Sequence, residues 1–276
     1  MALDKLVDST QLNTDLTAVA NAIRTKGGTS AQLAFPAGFV DAVEAIETGG
    51  GTTVNEFLSM YTRKELTGDI VLEQSVRQLK SSLFAGQNVK SVRGEGVIVV
   101  TNCGYAFDNC PELETISFPN LQSLYCAYFI MNCPKLKLLC FPNLGVTGTT
   151  KYMYSSTITN CANLEVIDLS KIESISGSNN FLRCASLTTV IFRRTDAPVN
   201  LGNVNNFTGT PFAPGGSGGT IYIPQALYDH LGDGTALDYK AATNWSTLDG
   251  YGTITWAKIE GSIYETQYAD GTPIAA

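Results

Sequence analysis

The sequence contains a single histidine, His230, among its 276 residues. Any site that needs two histidines is therefore excluded, and no Cys-His or Ser-His-Asp set suggests itself. The glycine run Gly215–Gly219 lacks the Lys-Ser/Thr pair and the following helix of a phosphate-binding loop. A glycosidase would need two carboxylates across a cleft. The repeats described below predict strands with one face directed away from the core, and Asp168 is the only acid on that face. We therefore predict a protein that is not an enzyme and that holds no cofactor.

Positive charge is also scarce, with 18 Lys and Arg against 25 Asp and Glu and a net charge of −7. Binding to a nucleic-acid backbone requires a basic surface, so no nucleic-acid partner is expected. The chain has no run of 18 apolar residues, so no insertion into a membrane is expected. The N-terminus has no cationic start followed by an apolar core. It is therefore not read as a Sec signal peptide, and synthesis in the cytoplasm is expected.

One pattern returns four times in the middle of the chain. FDNCPELETISFPNL begins at Phe107, IMNCPKLKLLCFPNL at Ile130, ITNCANLEVIDLSKI at Ile158 and FLRCASLTTVIF at Phe181. The central cysteines, Cys110, Cys133, Cys161 and Cys184, are separated by 23, 28 and 23 residues. A period in the twenties with apolar residues at fixed offsets is typical of a solenoid.

Each repeat also predicts its own core. The third, sixth and eighth residues after each cysteine are apolar, and the last two alternate with an outward residue, as in a strand. Stacked turns would lay each of these side chains on its equivalent in the next turn. The predicted core positions are Leu113, Ile116, Phe118, Leu136, Leu139, Phe141, Leu164, Ile167, Leu169, Leu187, Val190 and Phe192.

Seven cysteines could indicate a metal site, a set of disulfides or a stack of buried thiols. The spacing of Cys103 and Cys126 is the 23-residue repeat itself, whereas zinc sites use short C-x2–4-C hooks. Equivalent side chains in adjacent turns point in parallel, which suits disulfide geometry poorly. Free, buried thiols are therefore favoured and no metal site is predicted. Cys140 is the exception, because it lies on the outward strand face and is either partly exposed or covered by a neighbour.

The ends of the chain depart from the repeat. Residues 1–48 predict two short amphipathic helices, which form either a small cap or a module through which chains associate into a homo-oligomer. Residues 49–65 are a glycine-rich linker and lead-in, and residues 66–224 form the solenoid, with TIYIP at Thr220–Pro224 as its last strand. Residues 225–276 form a cap with helices at about 225–231 and 236–248, then a strand-like stretch. The final ten residues are expected to be loose.

Two surfaces are candidates for binding a partner. The first is the outward face of the strands, which could contact a protein or a glycan or be covered and idle. Its residues are Thr115, Ser117, Leu138, Cys140, Val166, Asp168, Thr189 and Ile191. The second is the five-residue insertion of the 28-residue turn, within about 145–154, which carries Tyr152 and Tyr154. Tyrosines suit contacts with sugars or proteins, although a plain surface loop is the alternative.

The pattern FxxCxxLxxIxFPNL resembles the BspA-type leucine-rich repeat, a bacterial family of about 23 residues per turn. The resemblance covers about residues 66–224 and implies an α/β repeat fold, a leucine-rich-repeat solenoid with a small N-terminal helical module and a C-terminal helical and strand cap. IYIPQALYDHL…YKAATNWSTL resembles the cap that closes such proteins. DLTAVANAIRTKGGTSAQLAFPAGFVDAVEAI resembles a short module of tail proteins from phages and prophages of gut bacteria.

These resemblances imply surface adhesion and partner binding rather than catalysis. The leading expectation is a phage or prophage tail-associated protein that recognises a protein or glycan on a bacterial surface. Its location would be the virion tail or the bacterial cell surface. The alternatives are a structural component without its own receptor, and an exported bacterial adhesin.

Overall fold

The computed structural model describes residues 52–54, 66–101, 103–146 and 152–274. The chain divides into two compact units, Met1–Gly51 and Thr52–Ala276, and all described residues lie in the second. The predicted N-terminal helices, like the lead-in at 55–65, lie outside the described residues.

The second unit consists mainly of short strands. They are β1 (Thr52–Val54), β2 (Thr67–Leu72), β3 (Asn88–Arg93), β4 (Val99–Thr101), β5 (Phe107–Asp108), β6 (Thr115–Ser117), β7 (Ser123–Tyr125), β8 (Ile130–Met131), β9 (Leu138–Cys140), β10 (Tyr152–Met153), β11 (Ile158–Thr159), β12 (Val166–Asp168), β13 (Ser174–Ile175), β14 (Thr189–Ile191), β15 (Asn200–Leu201), β16 (Gly219–Ile223) and β17 (Ile254–Lys258). The described helices are equally short. They are α1 (Gln225–Tyr228), α2 (Trp245–Asp249) and two 3₁₀ helices at Val204–Phe207 and Ile263–Glu265.

The main sheet has nine parallel strands in the order β1-β2-β3-β6-β9-β12-β14-β16-β17. Three smaller parallel sheets, β5-β8-β11, β4-β7 and β10-β13-β15, receive one strand from successive turns. In each turn the chain therefore runs past the smaller sheets and then adds the next strand to the main sheet. This is the solenoid that the 23-residue period predicted. The expected α/β repeat is not seen, because the described turns between 66 and 224 contain strands and one 3₁₀ helix but no α-helix.

The predicted core is confirmed. All twelve apolar positions of the four repeats are buried, with exposed fractions between 0% and 5%, as are the four central cysteines. The degenerate repeat before Phe107 also contributes, because Phe84 stacks on Phe107 with ring centroids 4.9 Å apart. Burial of each such side chain is worth about 1.5–3 kcal/mol, and only a stack of turns can supply it.

An asparagine before the cysteine turns the chain in three of the four repeats. Asn109, Asn132 and Asn160 have φ angles of 54°, 53° and 55°, a left-handed conformation that asparagine tolerates better than most residues. Their amides also link the turns. Asn132 Nδ2 donates to Asp108 Oδ1 at 2.9 Å, and Asn160 Nδ2 donates to Asn132 Oδ1 at 3.0 Å.

The C-terminal cap closes the solenoid as predicted, but the two predicted helices are too long. Tyr239 and Trp245 are fully buried, and Trp245 Nε1 donates to Val199 O at 2.6 Å. Only Gln225–Tyr228 and Trp245–Asp249 are helical. Asp238 explains part of the difference, because its carboxylate accepts bonds from the amides of Gly234 and Lys240 and so stabilises turns instead of helix.

The prediction that β16 is the last strand was wrong. β17 continues the main sheet and pairs in parallel with β16 from Gly219 opposite Ile254 to Ile223 opposite Lys258. The expectation of a loose C-terminus was also wrong for residues 267–274. Gln267 forms an antiparallel bridge with Pro273, and Tyr268 N donates to Thr272 O at 2.8 Å.

Candidate functional site

The outward residues of the main sheet form two rows, as predicted. In one row Leu138, Val166 and Thr189 stand opposite one another on neighbouring strands. In the other row Ser117, Cys140, Asp168 and Ile191 align in the same way. The two rows differ in their exposure, and this difference decides which part of the face a partner can reach.

Most of the second row is covered, which corrects the prediction for three residues. Ser117 is exposed, but Cys140, Asp168 and Ile191 are buried with exposed fractions of 4%, 0% and 0%. An outward position on a strand indicates only that a side chain leaves the solenoid core. Here a more distant part of the chain, around Ala269, lies on Cys140 and Asp168. All three side chains are buried and so are not available to a partner.

The covering segment is the C-terminal tail, and an ion pair holds it. Arg193 Nη2 lies 2.8 Å from Asp168 Oδ2. The same guanidinium donates from Nη1 to Tyr264 O at 2.8 Å and from Nη2 to Gln267 O at 3.1 Å. The guanidinium carbon of Arg193 also lies 4.8 Å from the ring centroid of Tyr268, a cation–π contact. Asp168 is therefore a structural residue that fixes the tail.

The first row remains partly open. Thr115 is exposed, whereas Leu138, Val166 and Thr189 are half-buried. A depression of about 470 Å³ lies beside Thr115 and Leu138, and Glu114, Lys135, Lys137 and Asn163 complete its lining. Two of its three charged lining residues form ion pairs with residues outside the lining, since Lys135 Nζ lies 2.6 Å from Glu112 Oε2 and Glu114 Oε2 lies 3.8 Å from Lys90 Nζ. Such solvated pairs contribute little energy and offer no fixed charge to a ligand.

The insertion tyrosines lie in a larger aromatic cluster. Tyr152 and Tyr154 are exposed, and both pack edge-on against Tyr125, with ring centroids 5.2 Å and 4.9 Å away. Leu124 and Met153, the neighbours of Tyr125 and Tyr152 along their strands, are fully buried. Strand alternation therefore directs the tyrosines outward.

Two further tyrosines, which the sequence reasoning missed, complete the cluster. Tyr105 and Tyr128 are stacked, with centroids 5.2 Å apart and ring planes 12° from parallel. Together with Tyr125 and Tyr154 they line a groove of about 560 Å³, here called the tyrosine groove. A signal for the pair exists in the sequence, because each tyrosine stands five residues before a repeat cysteine, at Cys110 and Cys133.

The remaining lining of the tyrosine groove is small or apolar. It consists of Ser81, Gly104, Cys126 and Ala127. No Asp, Glu, Lys or Arg is among the described residues that line the groove. The described lining therefore offers aromatic faces and phenol hydroxyls, without a formally charged side chain.

All seven cysteines are free and buried. Cys103 Sγ lies 3.1 Å from Cys126 Sγ, and its hydrogen bond to that sulfur together with burial raises the pKa of Cys103. Burial, and then the carboxylate of Asp168, raises the pKa of Cys140. At Cys103 and Cys140 the raised pKa keeps the thiol protonated, which is unfavourable for metal binding and for nucleophilic attack at these two residues. Among the described residues no group of three metal-ligating side chains comes together.

His230 belongs to a surface turn. Its Nδ1 lies 2.7 Å from Asp233 Oδ2, and both side chains are about as exposed as the groove tyrosines. A bond from the Thr235 amide and then the contact with His230 lower the pKa of Asp233. In the part of the chain that the structure describes, no helix is long and apolar enough to cross a membrane.

The comparison with known families bears on the stacked turns. Residues 99–203 match the family model described as a BspA type leucine rich repeat region, in six copies. The solenoid is similar to BspA-type leucine-rich repeats. No curated protein and no solved structure matches the chain. The repeat resemblance is thus confirmed for its central part, and BspA-type repeats are consistent with binding or adhesion.

Proposed function

We propose that this protein is a non-enzymatic binding protein that recognises a bacterial surface and that it belongs to the tail of a phage or prophage. The tyrosine groove is the contact site of this proposal. The single observation that carries it is the distribution of exposed large apolar side chains. Four of the seven found among the described residues are tyrosines of this one cluster, and each is between 37% and 44% exposed.

Such a concentration is typical of a recognition surface. Single exposed apolar residues are common on folded proteins, but a contiguous patch indicates contact with a partner. Tyrosine suits this role because its ring is large and rigid and its hydroxyl can donate and accept hydrogen bonds. The BspA-type repeats support the same reading, since repeat stacks present extended surfaces to partners.

The tail assignment rests on the sequence of residues 1–48, which resembles a module of phage and prophage tail proteins. In this proposal the module attaches the protein to the tail, or assembles several copies of it, and the solenoid contacts the bacterial surface. An exported adhesin would use the same groove. A structural component without its own receptor would not need the groove at all.

The experiment is binding of the fluorescently labelled full chain to a panel of intact gut bacteria. We expect saturable binding to at least one strain. The double variant Tyr105→Ser/Tyr128→Ser should lose it, because it removes the stacked pair. Tyr251→Ser is the matched control, since Tyr251 is 38% exposed but does not line the groove.

Equal loss of binding in the control and the double variant would contradict the assignment of the groove. Absence of binding to every strain would favour the structural component. A truncated chain without residues 1–48 separates the two roles of the N-terminal module. If its oligomeric state equals that of the full chain, the module is not the assembly element.

A further inference from the structure

We infer that the tyrosine groove binds an uncharged glycan, through stacking of a sugar ring on the Tyr105–Tyr128 pair. The inference rests on the proposed function, because it names the class of ligand for the same site. Three independent features of the groove support it: the geometry of the rings, the backbone beneath them and a lining whose described residues include no Asp, Glu, Lys or Arg.

The rings provide both a platform and a wall. Tyr105 and Tyr128 stack on each other with ring planes 12° apart, so their facing sides cover one another. Both rings are still well exposed, and the outer apolar face of this stacked pair is the platform. Tyr154 stands edge-on to Tyr125, at 64° between ring planes. A pyranose ring has an apolar C–H face and a rim of hydroxyls. It can stack on the platform while its rim meets phenol hydroxyls at the wall.

The backbone argument comes from the equivalent positions in other turns. Tyr105 N donates to Tyr128 O, and Tyr128 N donates to Ser156 O, so these residues occupy one site in successive turns. That site is left-handed throughout, with φ angles of 63°, 56° and 56°. It holds Ser82 and Asn179 in the flanking turns, also at positive φ.

A left-handed backbone suits asparagine or a small residue and disfavours a bulky aromatic. Serine or asparagine is therefore sufficient for the fold at this site, as the three other turns with Ser82, Ser156 and Asn179 show. Two consecutive turns carry tyrosine instead, although the backbone makes tyrosine unfavourable there. Strained residues of this kind are concentrated at ligand-binding sites, and the strain here falls on the two rings that form the platform.

The lining determines which ligands fit. A groove without Asp, Glu, Lys or Arg among its described lining residues gives no counter-charge to a phosphorylated or acidic polymer. Its volume of about 560 Å³ lies within the usual range for small-molecule sites, about 300–1,000 Å³. An uncharged oligosaccharide satisfies both conditions, because its recognition depends on stacking and hydrogen bonds.

The test measures binding of the full chain to uncharged oligosaccharides of glucose, mannose, galactose, rhamnose and N-acetylglucosamine by titration calorimetry. Oligogalacturonate serves as the anionic comparison. We expect at least one uncharged oligosaccharide to bind, and Tyr105→Asn/Tyr128→Asn to weaken that binding by about tenfold or more. Asparagine is chosen because the left-handed backbone accepts it. Tyr251→Asn should bind as the unchanged protein does.

A second arm uses the bacterial strains that the protein binds. Periodate cleaves the vicinal diols of sugars, so periodate treatment of the cells should remove binding, whereas protease treatment should leave it. Loss after protease alone would overturn the glycan inference and leave the proposed surface-binding function standing. Binding of oligogalacturonate alone, or of no oligosaccharide, would also overturn the inference. Tyrosine-dependent oligosaccharide binding without cell binding would support it while removing the host-recognition proposal.

Discussion

Arg193 and Asp168 form an ion pair on the outer side of the main sheet, with Nη2 and Oδ2 2.8 Å apart and side-chain exposures of 9% and 0%. The pair is not isolated. Two backbone carbonyls of the tail accept bonds from Arg193, and Ala269 N lies 3.3 Å from Asp168 Oδ2. The two residues thus connect the solenoid to a segment that lies 71 to 101 positions further along the chain.

Arg193→Met should destabilise the protein by about 3–5 kcal/mol, because it leaves the carboxylate of Asp168 buried without its partner. Urea unfolding provides the measurement. The control is Arg194→Met, since Arg194 pairs with Asp196, whose side chain is 73% exposed, and the expected change there is within about 1 kcal/mol. Similar losses in both variants would show that burial of the Asp168 pair does not matter.

Removal of residues 264–276 should expose the thiol of Cys140. In the full chain this thiol is buried and its pKa is raised, so a thiol reagent at pH 8 should react slowly. The truncated chain should show one additional fast-reacting thiol, and Cys140→Ser in that background should remove it. If the fast thiol persists in the substituted truncated chain, the tail does not protect Cys140.

Tyr239 should make the stability of the protein sensitive to alkali. Burial raises the pKa of its phenol, and its hydroxyl accepts a bond from Val199 N at 3.0 Å. The pKa of Tyr239 is therefore higher in the folded state than in the unfolded state. The stabilisation that the neutral phenol contributes is fully present below about pH 10 and is lost as the pH rises further.

The check is the free energy of unfolding of the unchanged protein and of Tyr239→Phe between pH 8 and pH 11. At pH 8 the variant should be less stable by about 1–3 kcal/mol, because the Val199 amide is left without a partner. Above about pH 10 the difference should narrow. A difference independent of pH would contradict burial of the neutral phenol.

Tyr105→Asn should leave stability almost unchanged. The variant loses the stacked ring contact with Tyr128, worth about 0.5–1.5 kcal/mol, but relieves a left-handed tyrosine of similar cost. Thermal unfolding of the variant should therefore lie close to that of the unchanged protein. By contrast, Phe107→Ala removes a fully buried ring and should cost about 3–5 kcal/mol. A large loss for Tyr105→Asn would mean that the ring has a structural role.

The core was predictable from the sequence because each turn repeats the same requirement. Leu113 and its equivalents pack on one another wherever the chain returns at a fixed interval. The period and the polarity of the repeat are therefore enough to identify the core residues. Cys140, Asp168 and Ile191 followed the same period and were correctly placed on the outer side. A covered face was one of the alternatives that the sequence left open. The segment that covers Cys140 and Asp168 could not be predicted, because no local pattern relates Ala269 and its neighbours to the repeats.

The tyrosine groove could be predicted in part, unlike the core, which was fully predictable, and the covering tail, which was not. The insertion that interrupts the period predicts a binding role for Tyr152 and Tyr154. Tyr105 and Tyr128 lie within the regular period, which gives no such indication. The useful signal is the residue type at a given repeat position, where two consecutive turns carry tyrosine and the other turns carry serine or asparagine. The cap helices were overestimated for a different reason, since apolar spacing around Leu237 and Trp245 said nothing of the turns that Asp238 stabilises.

The left-handed site shared by Ser82, Tyr105, Tyr128, Ser156 and Asn179 has a consequence for how such a protein can change. The backbone there is held by bonds between turns and by a core on the other side, not by the side chain that it carries. New side chains can therefore be exchanged at this site one turn at a time without rebuilding the scaffold. The same stack could in this way acquire a different specificity through a handful of substitutions along a single edge.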